Sequence, residues 1–241
     1  MANASACPCY PNDVRLVHIP NTRVKSKSLG SLRYILTAKL MNIMDVTDLL
    51  DAFEKDGFYE WRNFQDTADA MAVRTELLET EQSNGFKQAA IGKQGEAMVN
   101  SGQRSDTIHW IAADSAAPYT AQVLEKLSEI ITVLNRNFYL GIRDFECHYT
   151  HYPPGSFYKR HVDRHRSGSS RVVSFVLYLN ANWQHDDGGE LVVYEGSSEA
   201  AVICPQLGTL AIFLSEKEHE VRITARDRMS ITGWLLTESI L

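Results

Sequence analysis

Cysteine is scarce in this 241-residue chain. Cys7, Cys9, Cys147 and Cys204 are too few and too scattered to staple a small scaffold. Cys7-Pro8-Cys9 has no second pair at zinc-site spacing, which argues against a metal role there. No apolar run approaches the roughly 18 residues a membrane span needs, and the N-terminus lacks an apolar segment followed by a small-residue cleavage site. Also missing are a P-loop, a dinucleotide-binding fingerprint and a Ser-His-Asp arrangement. These absences lead to the expectation of a reduced, cytoplasmic protein without a membrane partner.

What is present has the profile of a soluble globular domain, 44% hydrophobic and 22% charged. The net charge of −6 is unevenly spread. Residues 1–40 hold Arg15, Arg23, Lys25, Lys27, Arg33 and Lys39 against a single acid, Asp13, so the body is strongly acidic. An acidic body argues against a dedicated nucleic-acid-binding domain. Residues 1–44 are expected to be a poorly ordered basic extension. Residues 45–241 are expected to form one domain, with helical support over 45–140 and a β core over 141–238.

Val46, Leu49, Leu50 and Phe53 fall on one helical face, and Gly57 supplies a stop before the strand-like Phe58-Tyr59-Glu60-Trp61. A second helix starting at Asp66 would bury Ala70, Val73, Leu77 and Leu78. Residues 82–106 are glycine-rich, polar and aperiodic, which predicts a long irregular loop that is either disordered or a working lid. Thr107–Ile111 reads as a strand, and Pro118 suits the first turn of a helix carrying Leu124, Leu127, Ile131 and Leu134. From Gly141 the period changes to two. Eight short strands are predicted, near 142–152, 156–162, 171–179, 190–194, 200–203, 208–214, 219–224 and 228–237. The fold class expected is α+β: a double-stranded β-helix (jelly roll) with N-terminal helices supporting one face.

Within those strands His161-Val162-Asp163 places an imidazole and a carboxylate two residues apart, on one face of a strand. His219, opening a later strand, could supply a third ligand. Two histidines and one carboxylate make the facial triad of non-haem Fe(II) oxygenases, with positions left open for other ligands. A His-x-Asp tripeptide alone is weak evidence. Arg228 strengthens it: Arg228, Ser230, Thr232 and Trp234 alternate onto one face of a strand, and a guanidinium among apolar walls needs an anion. A carboxylate is the natural guest, and Tyr178 could donate to the same group. Arg222 and Arg226 compete for this role but read as solvated turn residues.

The run Tyr152-Pro153-Pro154-Gly155-Ser156-Phe157-Tyr158-Lys159-Arg160-His161-Val162-Asp163 resembles the first ligand strand of the 2-oxoglutarate/Fe(II) prolyl hydroxylases. Tyr178-Leu179-Asn180, Gly188-Gly189-Glu190-Leu191, His219-Glu220-Val221 and Arg228-Met229-Ser230-Ile231-Thr232-Gly233-Trp234 continue the likeness in order. It is nearest to the oxygen-sensing animal enzymes and their bacterial relatives and spans about residues 45–237. The resemblance implies Fe(II) on His161, Asp163 and His219. It implies 2-oxoglutarate on Arg228, with Tyr178 and Thr232 as hydrogen-bonding helpers and Tyr152 beside it. Arg104 and Asp106 would belong to a loop that closes on a peptide. Ascorbate is an accessory that comes with the family. The implied reaction hydroxylates a prolyl residue of a protein, such as elongation factor Tu, with O2 consumed and succinate and CO2 released.

A hydroxylase of another residue or of a small molecule on the same metal core is the alternative activity. A non-catalytic jelly-roll binding module would instead predict a broken triad or a missing arginine, and neither is seen. Halogenation is disfavoured because Asp163 fills the position a halide would need. His148 and His151, three apart on a strand, should face opposite ways and read as packed or surface histidines. His165 and His185 read as solvated, and Cys147 and Cys204 as small buried hydrophobes. The basic cluster Lys159, Arg160, Arg164, Arg166 and Arg171 reads either as a solvated rim or as an attractor of an acidic substrate.

Overall fold

The computed structural model describes residues 43–238 apart from 84, 91–98, 113, 115 and 165–168. The basic extension, Cys7, Cys9, His165, Arg166 and the middle of the expected 82–106 loop therefore lie outside the described residues. Three α-helices are described: α1 (Ile43–Lys55), α2 (Thr67–Gln82) and α3 (Pro118–Phe138). The strands before the β core are β1 (Phe58–Trp61), β2 (Lys87–Gln88) and β3 (Thr107–Trp110). The core strands are β4 (Asp144–Tyr152), β5 (Tyr158–His161), β6 (Arg171–Tyr178), β7 (Leu191–Glu195), β8 (Ser198–Ile203), β9 (Leu210–Leu214), β10 (His219–Val221) and β11 (Arg228–Leu236). All eight predicted core strands are present within a few residues of their expected bounds.

The strands form a seven-stranded sheet in the order β1-β9-β6-β11-β4-β3-β2 and a four-stranded sheet in the order β5-β10-β7-β8. Every pairing is antiparallel. Two facing sheets with helices on one side are the jelly-roll architecture expected. The central strands of the large sheet are buried on both faces, and their residues divide by parity. Val173, Phe175 and Leu177 of β6, with Leu210 and Ile212 of β9 and Ile231 of β11, join the helical core with Leu49, Leu77, Leu127 and Leu134. Val176, Tyr178, Ala211 and Phe213 face the small sheet's Leu191, Val193 and Val221. This explains why β6 and β9 read as near-continuous apolar runs.

The helices are placed by local chemistry. Asp66 caps α2 by accepting from the Asp69 N–H at 3.0 Å. Ala117 leaves α3 without a side-chain cap, and Glu76 of α2 replaces it, accepting from the Tyr119 and Thr120 N–H groups at 2.8 and 2.9 Å. Gly233 in β11 is required sterically: a Cβ there would lie 2.3 Å from the Glu146 carbonyl and 2.6 Å from the Phe175 ring. No described helix is long and apolar enough to cross a membrane.

At its described ends the segment 82–106 is more structured than the aperiodic sequence predicts. Lys87 and Gln88 pair with Ile108 and Thr107, and Ala89 is buried with its N–H on the Asp106 carbonyl. Short polar runs such as this carry no periodicity, so a two-residue strand is invisible to pattern reading.

Candidate metal and carboxylate site

Antiparallel pairing of β5 with β10 sets His161 directly opposite His219. Asp163 lies just beyond the end of β5 rather than within the strand predicted to carry it. Its position is fixed by the main chain instead, because both Asp163 and Arg164 donate their N–H groups to the Ser215 carbonyl. His161 Nε2 and His219 Nε2 each lie 3.5 Å from an oxygen of Asp163. All three ligand atoms fall within 4.8 Å of one another, and among the described residues no other such trio occurs.

The surroundings prepare these atoms for a metal. Each histidine has Nδ1 against the carbonyl two residues before it, Lys159 at 2.8 Å and Lys217 at 2.9 Å. Donation from Nδ1 leaves Nε2 with its lone pair toward Asp163. His161 stacks on Tyr158 at 3.6 Å, and His219 meets the Phe213 ring edgewise at 4.7 Å. Asp163 Oδ2 accepts from Ser174 Oγ at 2.7 Å, which in turn meets Ser215 Oγ at 2.9 Å. Burial alone would raise the Asp163 carboxyl. Attraction to the His219 and His161 rings in their charged form, and the Ser174 hydroxyl, hold it well below the usual carboxylate range. Burial pushes His219 down to about 4, so the ring is neutral and available as a ligand.

A second set of groups lines the same cavity. Arg228 is 1% exposed, paired in register with Tyr152, and its Cζ lies 5.0 Å from the rings of both Tyr152 and Tyr178. Its Nε donates to the Gly189 carbonyl at 2.8 Å, while Nη2 is buried without a partner, as is the Tyr178 hydroxyl. Among the described residues no carboxylate pairs with Arg228. An orphaned guanidinium nitrogen in the cavity, with an orphaned phenol on the ring beside it, fits one chemical group, a carboxylate. Thr232 also lines the cavity, its hydroxyl 3.2 Å from that of Ser230. Arg222 pairs with Glu199, and Arg226 with Asp187, both at the surface as expected.

The glycine pair before β7 now has a reason. Gly189 has φ +67°, and a Cβ there would lie 3.1 Å from Arg228 Cδ and from Thr224 Cβ. Gly189→Ala is expected to displace Arg228 and weaken binding of 2-oxoglutarate, the carboxylate the resemblance implies, about tenfold, roughly 1.4 kcal/mol. Calorimetric titration checks this, and unchanged affinity would show that the close approach is relaxed without consequence.

Arg104 and Asp106 are not placed as surface loop residues. They form a bidentate ion pair inside the protein, with Asp106 fully buried. Burial would lower the Arg104 guanidinium, but Asp106 holds it above its ordinary value. Arg104 lies over the Tyr158 ring at 4.4 Å, so the pair buttresses the ring that stacks on His161. Of the basic cluster, Arg160 bonds Glu218, and Arg171 bonds Glu146 while covering Trp234. These internal partners favour the solvated-rim reading.

His148 is the cavity residue that sequence reasoning passed over. The sequence reads it as packed or surface; β4 parity sends it inward beside Thr150 and Tyr152. It is 1% exposed, bonded through Nδ1 to Thr150 Oγ1 at 2.9 Å, and wedged edgewise against Trp110 and Trp234. Burial and then the nearby Arg104 charge push it down from 6.5 to about 3. The unfolded chain therefore takes up this proton first. The stabilisation is complete above about pH 6.5 and drains as pH falls toward 3, a loss of roughly 3 kcal/mol by pH 4. Urea denaturation across that range should show a shallower acid slope for His148→Gln, whereas superimposable profiles would refute the assignment.

Residues 147–236 match the 2OG-Fe(II) oxygenase superfamily. A Pseudomonas putida prolyl-4-hydroxylase structure is similar at a TM-score of 0.72 and 32% identity, covering 80% of this chain and 100% of that one. The chain belongs to the 2OG-Fe(II) oxygenase superfamily. Within it, the fold of this oxygenase is of the prolyl 4-hydroxylase type. A Trichoplax adhaerens prolyl hydroxylase, solved with a hypoxia inducible factor peptide fragment, matches at a TM-score of 0.72 and 25% identity, over 88% of this oxygenase and 94% of that chain. A PKHD-type hydroxylase of Picosynechococcus is 33% identical over 121 residues, 48% of this oxygenase and 54% of that protein. The match thus spans about half the length of that curated relative, and a quarter of the Egl nine homolog 1 of Rattus norvegicus.

Proposed function

We propose that this oxygenase is a 2-oxoglutarate- and Fe(II)-dependent dioxygenase that hydroxylates a prolyl residue of a cytoplasmic protein. The observation that carries the reading is the coexistence, in one cavity, of the His161-Asp163-His219 trio and the unpartnered guanidinium nitrogen of Arg228, with the unpartnered Tyr178 hydroxyl on the ring beside that guanidinium. Neither half alone is diagnostic; together they match a metal and a dicarboxylate cosubstrate. When bound, Fe(II) and 2-oxoglutarate supply the means to activate O2 for insertion into an unactivated C–H bond, with succinate and CO2 released.

The protein's own residues have separable tasks. His161, Asp163 and His219 would hold the metal from one side, which leaves positions for other ligands. Arg228 would bind the distal carboxylate, with Tyr178 and Thr232 donating hydrogen bonds and Tyr152 walling the pocket. Neutral His148 contributes no charge to repel or trap either partner. The apolar remainder, including Val176, Leu191, Phe213 and Val221, excludes water. Arg104, which itself lines the cavity, and Asp106 would support Tyr158 and stand at the end of the loop that closes on a peptide. Ascorbate enters as an accessory only through family likeness.

The prolyl target is supported by the likeness to prolyl hydroxylases, two of which cover most of this chain. Elongation factor Tu is the first protein to examine. Intact-mass and peptide mass spectrometry of proteins from cells with and without the oxygenase should reveal a +16 Da shift on a proline. A shift on a different residue type would replace the target while keeping the reaction class. Absence of any 2-oxoglutarate turnover with iron supplied would overturn the reading.

A further inference from the structure

His151 has an environment that neither the metal nor the carboxylate site accounts for. It follows Thr150 and precedes Tyr152, which both face the cavity, so its own side chain points away from it. The side chain is 13% exposed, with Nδ1 2.5 Å from Glu81 Oε1 and Nε2 2.8 Å from Asp227 Oδ1. Glu81 lies in the last turn of α2, and Asp227 immediately precedes Arg228. Ionised carboxylates only accept hydrogen bonds, so both contacts are satisfied only when both ring nitrogens carry protons. One imidazolium thus fastens three elements together.

We propose that His151 is a positioning residue for Arg228: clamped between Glu81 and Asp227, it fixes the segment entering β11 and thereby sets the affinity for the carboxylate cosubstrate. The proposal rests on the reading of Arg228 given above. Arg226, one residue earlier, is anchored elsewhere, with Nη1 donating to Asp187 and to the Asn182 carbonyl. Successive residues of the segment are therefore tied in different directions, and Asp227 depends on His151. The charged groups around the ring are Glu81 and Arg74 from α2 and Asp227 and Arg226 from the turn. Arg74 is engaged with the Leu179 carbonyl at 2.8 Å. Strand β3 meets His151 at Thr107, which offers a hydroxyl to its carbonyl, and β11 meets it at Met229.

Loss of one ring proton turns a lone pair toward a carboxylate. Asp227, 56% exposed against 31% for Glu81, is the partner free to swing away. The clamp therefore holds only while both ring nitrogens donate.

The test is 2-oxoglutarate binding to the full-length protein with Zn(II) as a redox-inert probe metal, measured by calorimetry. His151→Gln should raise Kd five- to tenfold. Asp227→Asn should stay within twofold of wild type, because an amide can pair with either form of the ring. Selective 15N-histidine labelling, assigned with His151→Gln, should show both ring nitrogens of His151 protonated. A ring protonated at one nitrogen only, or wild-type affinity in His151→Gln, would overturn the clamp. Should 2-oxoglutarate bind to none of them, the Arg228 reading fails and the coupling with it, while the 15N spectrum judges the ion pairs separately.

Discussion

Asp163→Ala is expected to abolish both iron binding and turnover, as are His161→Ala and His219→Ala. A neighbour that only orients a metal ligand typically contributes about 10- to 100-fold, so Ser174→Ala, which removes the hydrogen bond to Asp163 Oδ2, should fall in that range. Loss of a ligand itself should exceed it, to at least about a thousandfold in succinate formation. Anaerobic Fe(II) titration separates the two effects: Ser174→Ala still saturates, and the ligand variants do not. Near-normal activity in any of the three alanine variants would sink the metal assignment. It would also revive the reading of the domain as a binding module.

The second large effect belongs to Arg228. Truncating one partner of a desolvated, hydrogen-bonded charge pair costs about 2–5 kcal/mol, so Arg228→Ala should weaken 2-oxoglutarate by about a hundredfold or more. Arg222→Ala and Arg226→Ala remove surface ion pairs, whose usual contribution is about 0–1 kcal/mol, and should change affinity only a few-fold. A greater loss at Arg226 than at Arg228 would mean that the carboxylate binds outside the cavity.

The core strands and the site residues were legible because both are written in short-range pattern. Parity assigns Arg228 and Thr232 to one face and Met229 and Ile231 to the other, and the structure keeps that division. Asp163 was found by spacing even though its placement comes from Ser215, 52 residues on, and not from strand geometry. What escaped reading depends on distant partners. Arg104 and Asp106 look like polar loop residues until each is seen to satisfy the other in the interior. Parity alone sets His148 on the face of Thr150 and Tyr152, but not that Trp110 and Trp234 enclose it. His151 meets its carboxylates 70 and 76 residues away, a relation no local motif encodes.

The two halves of the site sit on different sheets. His161 and His219 belong to the four-stranded sheet, whereas Arg228 and Tyr178 belong to the seven-stranded one. A molecule anchored at both ends therefore acts as a rivet across the sandwich, and any motion that parts the sheets must first release it. Metal alone has purchase chiefly on one leaf; the dicarboxylate alone, on the other. Their stabilising effects should then exceed the sum of the parts, because each makes the other's leaf the correct distance away. Heat resistance of the loaded protein thus becomes a gauge of how well the two leaves are held in register, independent of whether any substrate is ever hydroxylated.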